Sequence, residues 1–299
     1  MTDKLAIALT DDAAFRIYAA VTTDIVAEAQ RIHKTMPAAT AALGRTLTAG
    51  ALIGATQKDE NVSITIQFKG NGPLGTMIVV ANSQSEVRGY VQNPAADLPL
   101  RADGKIDVGN AVGKQGYLSV IRDLGKGTQP YVGQVEITSG EIAEDLTYYY
   151  ATSEQTPTAI SLGVLVDRDY TAKAAGGFII QMMPGWGPDD EKTISHIEKR
   201  LAEMKPISTL VEEGLTPAEI IADILGDEIP YHILKETTPV YKCNCSQKRV
   251  ENALISIGKK DLTSLLEDEK GTEVNCNFCD KVYNFTTEDI KKLLEKCTK

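Results

Sequence analysis

The sequence predicts an α+β protein, in which a mixed α/β core with a β-sheet is followed by a helical segment and a small cysteine domain. Apolar residues recur at helical spacing in residues 22–57 and again in 186–242. Between these stretches, apolar and polar residues alternate in short segments separated by Gly- and Asn-rich turns, which is typical of strands. All five cysteines lie beyond residue 242. We therefore expect three parts, which are residues 1–185, 186–242 and 243–299.

Two helices are predicted near the start of the core. Ile25, Val26 and Ala29 share one helical face, and Pro37 stands where a second helix can begin. The second helix carries small residues such as Gly44, which allow another element to approach its backbone closely.

A strand is predicted at residues 62–68, where apolar residues alternate with polar ones. Residues 70–75 then match the spacing G-x-G-x-x-G of a dinucleotide-binding loop, but residues 76–80 resemble a strand and not the helix that such a loop requires. We therefore interpret residues 70–75 as a hairpin turn. The remaining core predictions are strands at 87–91, 116–122, 131–138, 159–166 and 177–182, and a helix at 140–152.

Residues 186–242 are predicted to be helical and are acidic, with twelve Asp and Glu against six Lys and Arg. Residues 188–190 supply a helix start signal, and Ile197 and Leu201 fall on one apolar face. A second helix is predicted from Thr216, with a proline in its first turn. Taken locally, the pattern fits an ordinary pair of surface helices between two domains.

Two cysteine pairs near the C-terminal end have the spacing of a four-thiolate metal site. Cys243 and Cys245 form C-x-C, and Cys276 and Cys279 form C-x-x-C. Two such pairs joined by a loop can supply the four ligands of a tetrahedral zinc ion. Spacing leaves two interpretations open, a purely structural zinc ribbon and a site whose thiolates are also meant to be oxidised. Cys297 has no close partner and is expected to be a bystander thiol.

The 57 residues from Cys243 onward contain few large apolar side chains. A unit of this size usually needs a disulfide or metal to fold, so we expect one Zn²⁺ per chain and unfolding when it is removed. His33, His196 and His232 lie away from the cysteine pairs and none is at ligand spacing, which argues against a histidine ligand.

Composition limits the possible partners. The net charge is −10, and no Lys or Arg stripe is present, so nucleic-acid binding is not expected. The first residues do not resemble a secretory signal, and the apolar runs are too short to span a bilayer. The short apolar runs also mean that the protein is not expected to be membrane-bound. Because its cysteines are clustered and not spread through the fold, it is expected to be cytoplasmic.

Distinctive motifs are spread over nearly the whole chain. They are Gly44 and Arg45, Ser153, Glu154 and Gln155, and residues 68–73 (FKGNGP), 88–91 (RGYV), 130–133 (PYVG), 140–146 (GEIAEDL), 181–185 (QMMPG), 243–246 (CNCS) and 274–279 (VNCNFC). These motifs resemble those of the heat shock protein 33 family of redox-regulated bacterial chaperones. The combination of the four-cysteine pattern with 140–146 and 153–155 is much more specific than the cysteines alone.

The resemblance implies a function that the residues alone would not give. It implies a core that binds clients and dimerises, a metastable helical linker and a zinc-binding redox switch. In this family the reduced, zinc-bound form is largely inactive. Oxidation forms disulfides within neighbouring cysteine pairs, releases zinc, and yields a dimeric, ATP-independent holdase that protects unfolding and oxidatively damaged proteins during oxidative stress. The resemblance thus implies a chaperone and not an enzyme.

Two other functions are weighed against this one. A zinc-ribbon nucleic-acid-binding protein should have a basic surface, but residues 243–299 contain ten acidic and ten basic side chains. A thiol oxidoreductase that uses Cys276 and Cys279 should place its C-x-x-C motif at a helix N-terminus after a strand.

Overall fold

The fold is described from a computed structural model, which describes residues 2–125, 127–185, 191–266 and 271–297. Over these ranges the chain forms helices and strands in mixed order, and the predicted α+β class is confirmed. Internal contacts separate two compact units, residues 1–242 and residues 243–299.

The first unit begins with its two sheets and the helices between them. In chain order its elements up to residue 182 are β1 (Lys4–Thr10), β2 (Phe15–Val21), α1 (Thr23–His33), α2 (Pro37–Ala55), β3 (Ser63–Gly70), β4 (Thr76–Asn82), β5 (Glu86–Val91), α3 (Val108–Val112), β6 (Gly116–Asp123), β7 (Tyr131–Glu136), α4 (Ile142–Thr152), β8 (Thr158–Val166) and β9 (Ala172–Met182). The unit ends with α5 (Glu191–Glu203), α6 (Ile207–Glu212), α7 (Pro217–Leu225), β10 (Tyr231–Thr237) and β11 (Val240–Tyr241).

Helix α2 is the centre of the first unit. It contacts β2, β8 and β9 of one sheet and β3, β4 and β5 of the other, and nearly all of its residues are buried. Small residues make this possible, because a Cβ added at Gly44 would lie 2.8 Å from Val26, and one added at Gly50 would lie 2.6 Å from Val79. The predicted pair of N-terminal helices is confirmed as α1 and α2.

The five-stranded sheet has the order β10-β1-β2-β9-β8, with antiparallel neighbours. Both of its faces are covered. Side chains such as Leu5 and Tyr18 belong to the apolar cluster around α2, whereas Ile17 and Phe178 belong to a second cluster with α5, α6 and α7. Strands buried on both faces lose the alternation of apolar and polar residues, which is why the sequence pattern did not predict β1 and β2.

The six-stranded sheet has the order β11-β5-β4-β3-β6-β7. Strands β3 and β4 form an antiparallel hairpin in which Phe68 pairs with Met77, so the prediction of a hairpin turn at residues 70–75 is confirmed. Glycine allows this turn to pack closely against the backbone near Val112, because a Cβ at Gly70 would lie 2.0 Å from the carbonyl oxygen of Val112.

The segment predicted to be helical, 186–242, is only partly so. Helices α5, α6 and α7 are present, and Thr216 begins α7 with a capping box to Glu219. Residues 231–237, however, form β10, which pairs with β1 through its backbone while most of its side chains are exposed. A strand held in this way has no apolar pattern that a sequence analysis could detect. The start signal at 188–190 lies outside the described residues.

The second unit is a small α+β fold. Its elements are α8 (Gln247–Ser256), α9 (Lys259–Ser264), β12 (Thr272–Asn275), β13 (Val282–Phe285) and α10 (Thr287–Lys296), with β12 and β13 forming an antiparallel hairpin. Among the described residues, its buried apolar side chains are Leu254, Leu262, Tyr283, Phe285, Ile290 and Leu293. No helix in the described ranges of the whole chain is both long and apolar enough to cross a membrane.

Candidate metal centre

The second cysteine pair lies in the turn of the β12–β13 hairpin. The N–H of Cys276 donates to the carbonyl of Lys281 at 3.0 Å, and the N–H groups of Cys279 and Asp280 donate to the carbonyl of Cys276 at 3.2 and 2.9 Å. Asp280 has a positive φ of 55°, which closes the turn. A C-x-x-C motif in a β-hairpin differs from the strand-to-helix setting of thiol oxidoreductases.

The first pair lies immediately before α8. The Ser246 hydroxyl caps this helix by accepting a hydrogen bond from the N–H of Arg249 at 3.3 Å. The cap defines where the helix begins, so Cys243 and Cys245 lie outside the helix.

The four predicted cysteines come together in space. All four Sγ atoms lie within 4.8 Å of one another, and the group contains Cys243, Cys245, Cys276 and Cys279. Two separations run between the pairs, 3.7 Å from Cys243 to Cys276 and 3.4 Å from Cys245 to Cys279. Metal–sulfur bonds of about 2.3 Å in a tetrahedron require sulfur atoms about 3.8 Å apart. These distances therefore fit a tetrahedral four-thiolate site, and the cluster could hold a metal ion.

The cluster does not by itself favour one disulfide pairing. All four cysteines are free thiols and half-buried. The separations of 3.7 and 3.4 Å both join cysteines of different pairs, whereas the resemblance implies bridges within each pair. A tetrahedral arrangement brings every sulfur close to the other three, so the pairing must depend on what the backbone does after the cluster opens.

Hydrogen bonds make the four sulfurs unequal. Burial raises the pKa of Cys243, and the N–H of Cys245 offsets only part of this rise. Burial likewise raises the pKa of Cys279, against a hydrogen bond from the N–H of Lys281. Burial also acts to raise the pKa of Cys245, but hydrogen bonds from Tyr283 and the other cysteines outweigh it and lower the pKa to about 7. The surroundings thus stabilise the thiolate form of Cys245 more than those of Cys243 and Cys279.

Tyr283 is a site residue that the sequence analysis did not predict. Its hydroxyl donates to Sγ of Cys245 at 3.1 Å, and this bond raises the pKa of Tyr283 to about 12. The ring is buried in the small core of the second unit, and Lys281 Nζ lies 5.3 Å from its centroid. The one sequence signal was an aromatic residue four positions after Cys279, which is equally typical of a core residue in a strand.

Cys297 lies outside the group of four. It follows α10, packs at the edge of the small apolar core, and its Sγ lies 3.5 Å from the carbonyl oxygen of Ile255.

The helices α5–α7 form a second region of interest within the first unit. Helix α7 contacts β1 and β2, and α6 contacts β8 and β9, whereas α5 packs mainly on α7. The guanidinium of Arg200 donates to the carboxylate of Asp223 at 2.8 Å, and His196 Nδ1 lies 2.9 Å from the carboxylate of Glu228. Ile197 on α5 is buried in the apolar cluster that these helices form with the five-stranded sheet.

The chain is similar to known proteins in both sequence and fold. The family model described as Hsp33 protein matches residues 3–286. A protein named 33 kDa chaperonin from Clostridium beijerinckii is 51% identical over 98% of this chain and 99% of its own length. One with the same name from a Geobacillus species is 49% identical over 98% of this chain and 97% of its own length.

A crystal structure described as the 33 kDa chaperonin, or heat shock protein 33 homolog, of Thermotoga maritima superposes with a TM-score of 0.88. It is 36% identical in sequence, and the match covers 100% of this chain and 99% of that one. With the family model spanning residues 3–286 and relatives near 50% identity over full length, this chain belongs to the Hsp33 family.

Proposed function

We propose that this protein is a redox-regulated, ATP-independent chaperone of the cytoplasm that holds unfolding and oxidatively damaged proteins and prevents their aggregation. Membership of the Hsp33 family supports a chaperone role, and the curated relatives are named chaperonins, not enzymes. The observation that carries the regulatory part of the proposal is the cluster of four half-buried cysteines in a unit with a very small apolar core.

In the reduced state, Cys243, Cys245, Cys276 and Cys279 would hold one Zn²⁺ per chain. The fit rests on four sulfurs at near-tetrahedral separations and on the preference of Zn²⁺ for thiolate ligands. When bound, the metal supplies a cross-link between the residues before α8 and the β12–β13 turn. Few apolar side chains stabilise this unit otherwise, so its folding depends on those four thiolates.

Oxidation converts the thiols to disulfides, with bridges Cys243–Cys245 and Cys276–Cys279. Each bridge forms when two thiols lose two electrons and two protons, and one molecule of hydrogen peroxide is reduced to two molecules of water. A disulfide sulfur no longer offers the negative charge that binds a metal ion, so the unit loses the cross-link and unfolds.

Activation then requires that α5, α6 and α7 leave the five-stranded sheet. These helices have thirteen, six and nine residues, which is too short for stability without a surface to pack on. Their departure would uncover apolar side chains such as Ile17 and Phe178 on the sheet and Ile220 and Ile221 on α7. Apolar surface of this kind binds non-native chains, and an oxidised dimer would present it twice.

The direct test compares suppression of client aggregation by the reduced, zinc-loaded protein and by the peroxide-oxidised protein at equal concentration. We expect strong suppression only after oxidation, together with release of one zinc per chain and formation of a dimer in sedimentation. The Cys297→Ser variant serves as the control and should behave like the wild type. Equal activity in both forms would contradict redox regulation.

Peptide mapping of the oxidised protein tests the bridges separately. Closing a shorter loop costs less entropy, which favours pairing within C-x-C and C-x-x-C once the unit opens, although C-x-C strains its bridge. A product dominated by bridges between Cys245 and Cys279, the cysteines separated by 3.4 Å in the folded unit, would show that oxidation captures the folded geometry instead.

A further inference from the structure

Tyr283 is the one side chain in the described residues, other than the four cysteines themselves, that donates a hydrogen bond to a sulfur of the cluster. We propose that this hydroxyl protects Cys245 from hydroperoxides and thereby tunes how readily the centre is oxidised. The inference rests on the proposed redox function and makes Tyr283 a positioning residue, since it acts through Cys245.

The fold holds the donor in place independently of the sulfur. Tyr283 lies on β13 with only 5% of its surface exposed, and its ring packs in the small core that also contains Phe285 and Leu254. Its backbone is paired with Val274 across the hairpin. Because the ring is already ordered by this packing, the hydroxyl can remain 3.1 Å from Sγ of Cys245 at little further entropic cost.

Among the described residues, two of the other cysteines accept from backbone amides. Cys243 accepts from the backbone N–H of Cys245, and Cys279 accepts from the backbone N–H of Lys281. Such amide donors belong to the turns themselves and are present whatever the side chains are. The hydroxyl of Tyr283 can instead be gained or lost by a single substitution that leaves the ring in place. It can therefore change the reactivity of Cys245 without changing the backbone donors of the other sulfurs.

The chemistry shows why a donor at sulfur should slow oxidation. A lone pair of the thiolate attacks one oxygen of hydrogen peroxide, the O–O bond breaks, and the products are a sulfenic acid and hydroxide. Sulfur is oxidised by two electrons, and the peroxide is reduced by two. The sulfenic acid then condenses with a second thiol to give a disulfide and water. A hydrogen bond stabilises the negative charge on the attacking sulfur and lowers its nucleophilicity.

The test is Tyr283→Phe in a Cys297→Ser background, with each protein reduced and loaded with one zinc per chain. Under hydrogen peroxide, zinc release followed with a chromogenic chelator should be about three- to tenfold faster in the variant, from the dependence of thiolate reactivity on basicity. Val282→Thr, at an exposed neighbouring position in β13, is the matched control and should release zinc at the wild-type rate.

A spectroscopic measurement separates loss of the hydrogen bond from a general loosening of the unit. In cobalt-substituted protein, the sulfur-to-cobalt charge-transfer band should move to lower energy in Tyr283→Phe, because the sulfur lone pair is no longer stabilised. The band of Val282→Thr should not move. An unchanged release rate and an unchanged band in a fully loaded Tyr283→Phe protein would overturn the proposal.

If Tyr283→Phe does not retain a full zinc complement, the wild-type protein still decides the question. Zinc-loaded wild type labelled with a substoichiometric amount of N-ethylmaleimide should carry less label on Cys245 than on Cys276, which is also half-buried. Equal or greater labelling of Cys245 would overturn the proposal. Faster zinc release without any gain in chaperone activity on oxidation would instead contradict the proposed function and leave the role of Tyr283 standing.

Discussion

Residues 1–242 and residues 243–299 are stabilised in different ways. The first unit buries two large apolar clusters on either side of the five-stranded sheet, one around α2 and the other under α5–α7. In the second unit, the buried apolar side chains of the described residues number six, and four thiols lie together at its edge. Charged and polar side chains cover most of its helices, as in α10, where Ile290 and Leu293 alone are buried.

Under the proposed function, this difference would let one part of the chain resist oxidants while another responds to them. A large apolar core changes little when a few sulfur atoms are oxidised, because its stability is spread over many side chains. The second unit would instead depend for its stability on four sulfur atoms that oxidants attack. Helices α5–α7 make their contacts within the first unit, but each is too short to be stable without that packing.

Metal removal should have the largest effect and should divide the chain at the boundary between the units. A structural zinc contributes about 10–16 kcal/mol to folding in comparable small domains. A chelator, or the substitution Cys276→Ser, should therefore remove hydrogen-exchange protection from residues 243–299 while α2 stays protected. Cys297→Ser should retain both zinc and protection. Persistent protection of β12 and β13 in the metal-free protein would show that the small core suffices.

Within the first unit, Ile197→Asp should weaken the packing of α5. Ile197 is 5% exposed in the cluster shared with α7, and burying an unpaired carboxylate there costs several kcal/mol. We expect the variant to suppress client aggregation under reducing conditions while its zinc stays bound. Ser195→Asp, on an exposed position of the same helix, is the control. A folded, zinc-bound Ile197→Asp protein that stays inactive until oxidised would make α5–α7 a passive spacer.

Acid should shift the stability of the two units in opposite directions. Protonation removes thiolate ligands, so the second unit should lose metal as the pH falls. In the first unit, burial raises the pKa of Asp3 to about 6, and hydrogen bonds from the N–H groups of Asp24 and Ile25 only partly oppose this. A carboxyl with a raised pKa in the fold contributes stability that is full below the unfolded value of about 3.9 and is lost as the pH rises through about 6.

The substitution Asp3→Asn should remove this contribution. Relative to the variant, the wild-type free energy of unfolding of the first unit should rise by about 2 kcal/mol between about pH 7 and about pH 4. Chemical denaturation at several pH values measures it, with the exposed Asp103→Asn as control. A difference between wild type and Asp3→Asn that does not change with pH would show that Asp3 titrates as it does in the unfolded chain.

The smallest effect expected comes from the contact between the sheet and α6. A Cβ added at Gly163 on β8 would lie 2.6 Å from Cγ2 of Ile207, so Gly163→Val should push α6 outward at a cost of about 1–3 kcal/mol. Partial chaperone activity without oxidation should result. Adding Ile207→Ala should recover part of the docking because it removes the nearest atom. Full inactivity of Gly163→Val until oxidation would show that α6 can leave its place without exposing client-binding surface.

Much of the candidate site could be predicted from the sequence because its chemistry is local. Cys243 and Cys245, and Cys276 and Cys279, are close neighbours in the chain, and short loops limit how far their sulfurs can separate. The hydroxyl of Tyr283 could not be assigned a role in the same way. A tyrosine in a strand is usually a core residue, and only the tertiary fold, which brings the residues before α8 to the β12–β13 hairpin, places its hydroxyl at Cys245.

The sequence by itself determined the elements that carry their own periodic pattern, among them α1, α2, α4, the β3–β4 hairpin and the helices of the acidic segment. Helices α1 and α4 and those of the acidic segment each expose one face, α2 begins at Pro37, and the hairpin turns at glycines, so these signals can be read in the chain. Only the tertiary structure decided the five-stranded sheet, because β1 and β2 are buried on both faces and β10 is held through its backbone at an edge. It also decided that α6 and α7 cover that sheet while α5 lies on α7, since an apolar stripe shows that a helix packs but not on which partner.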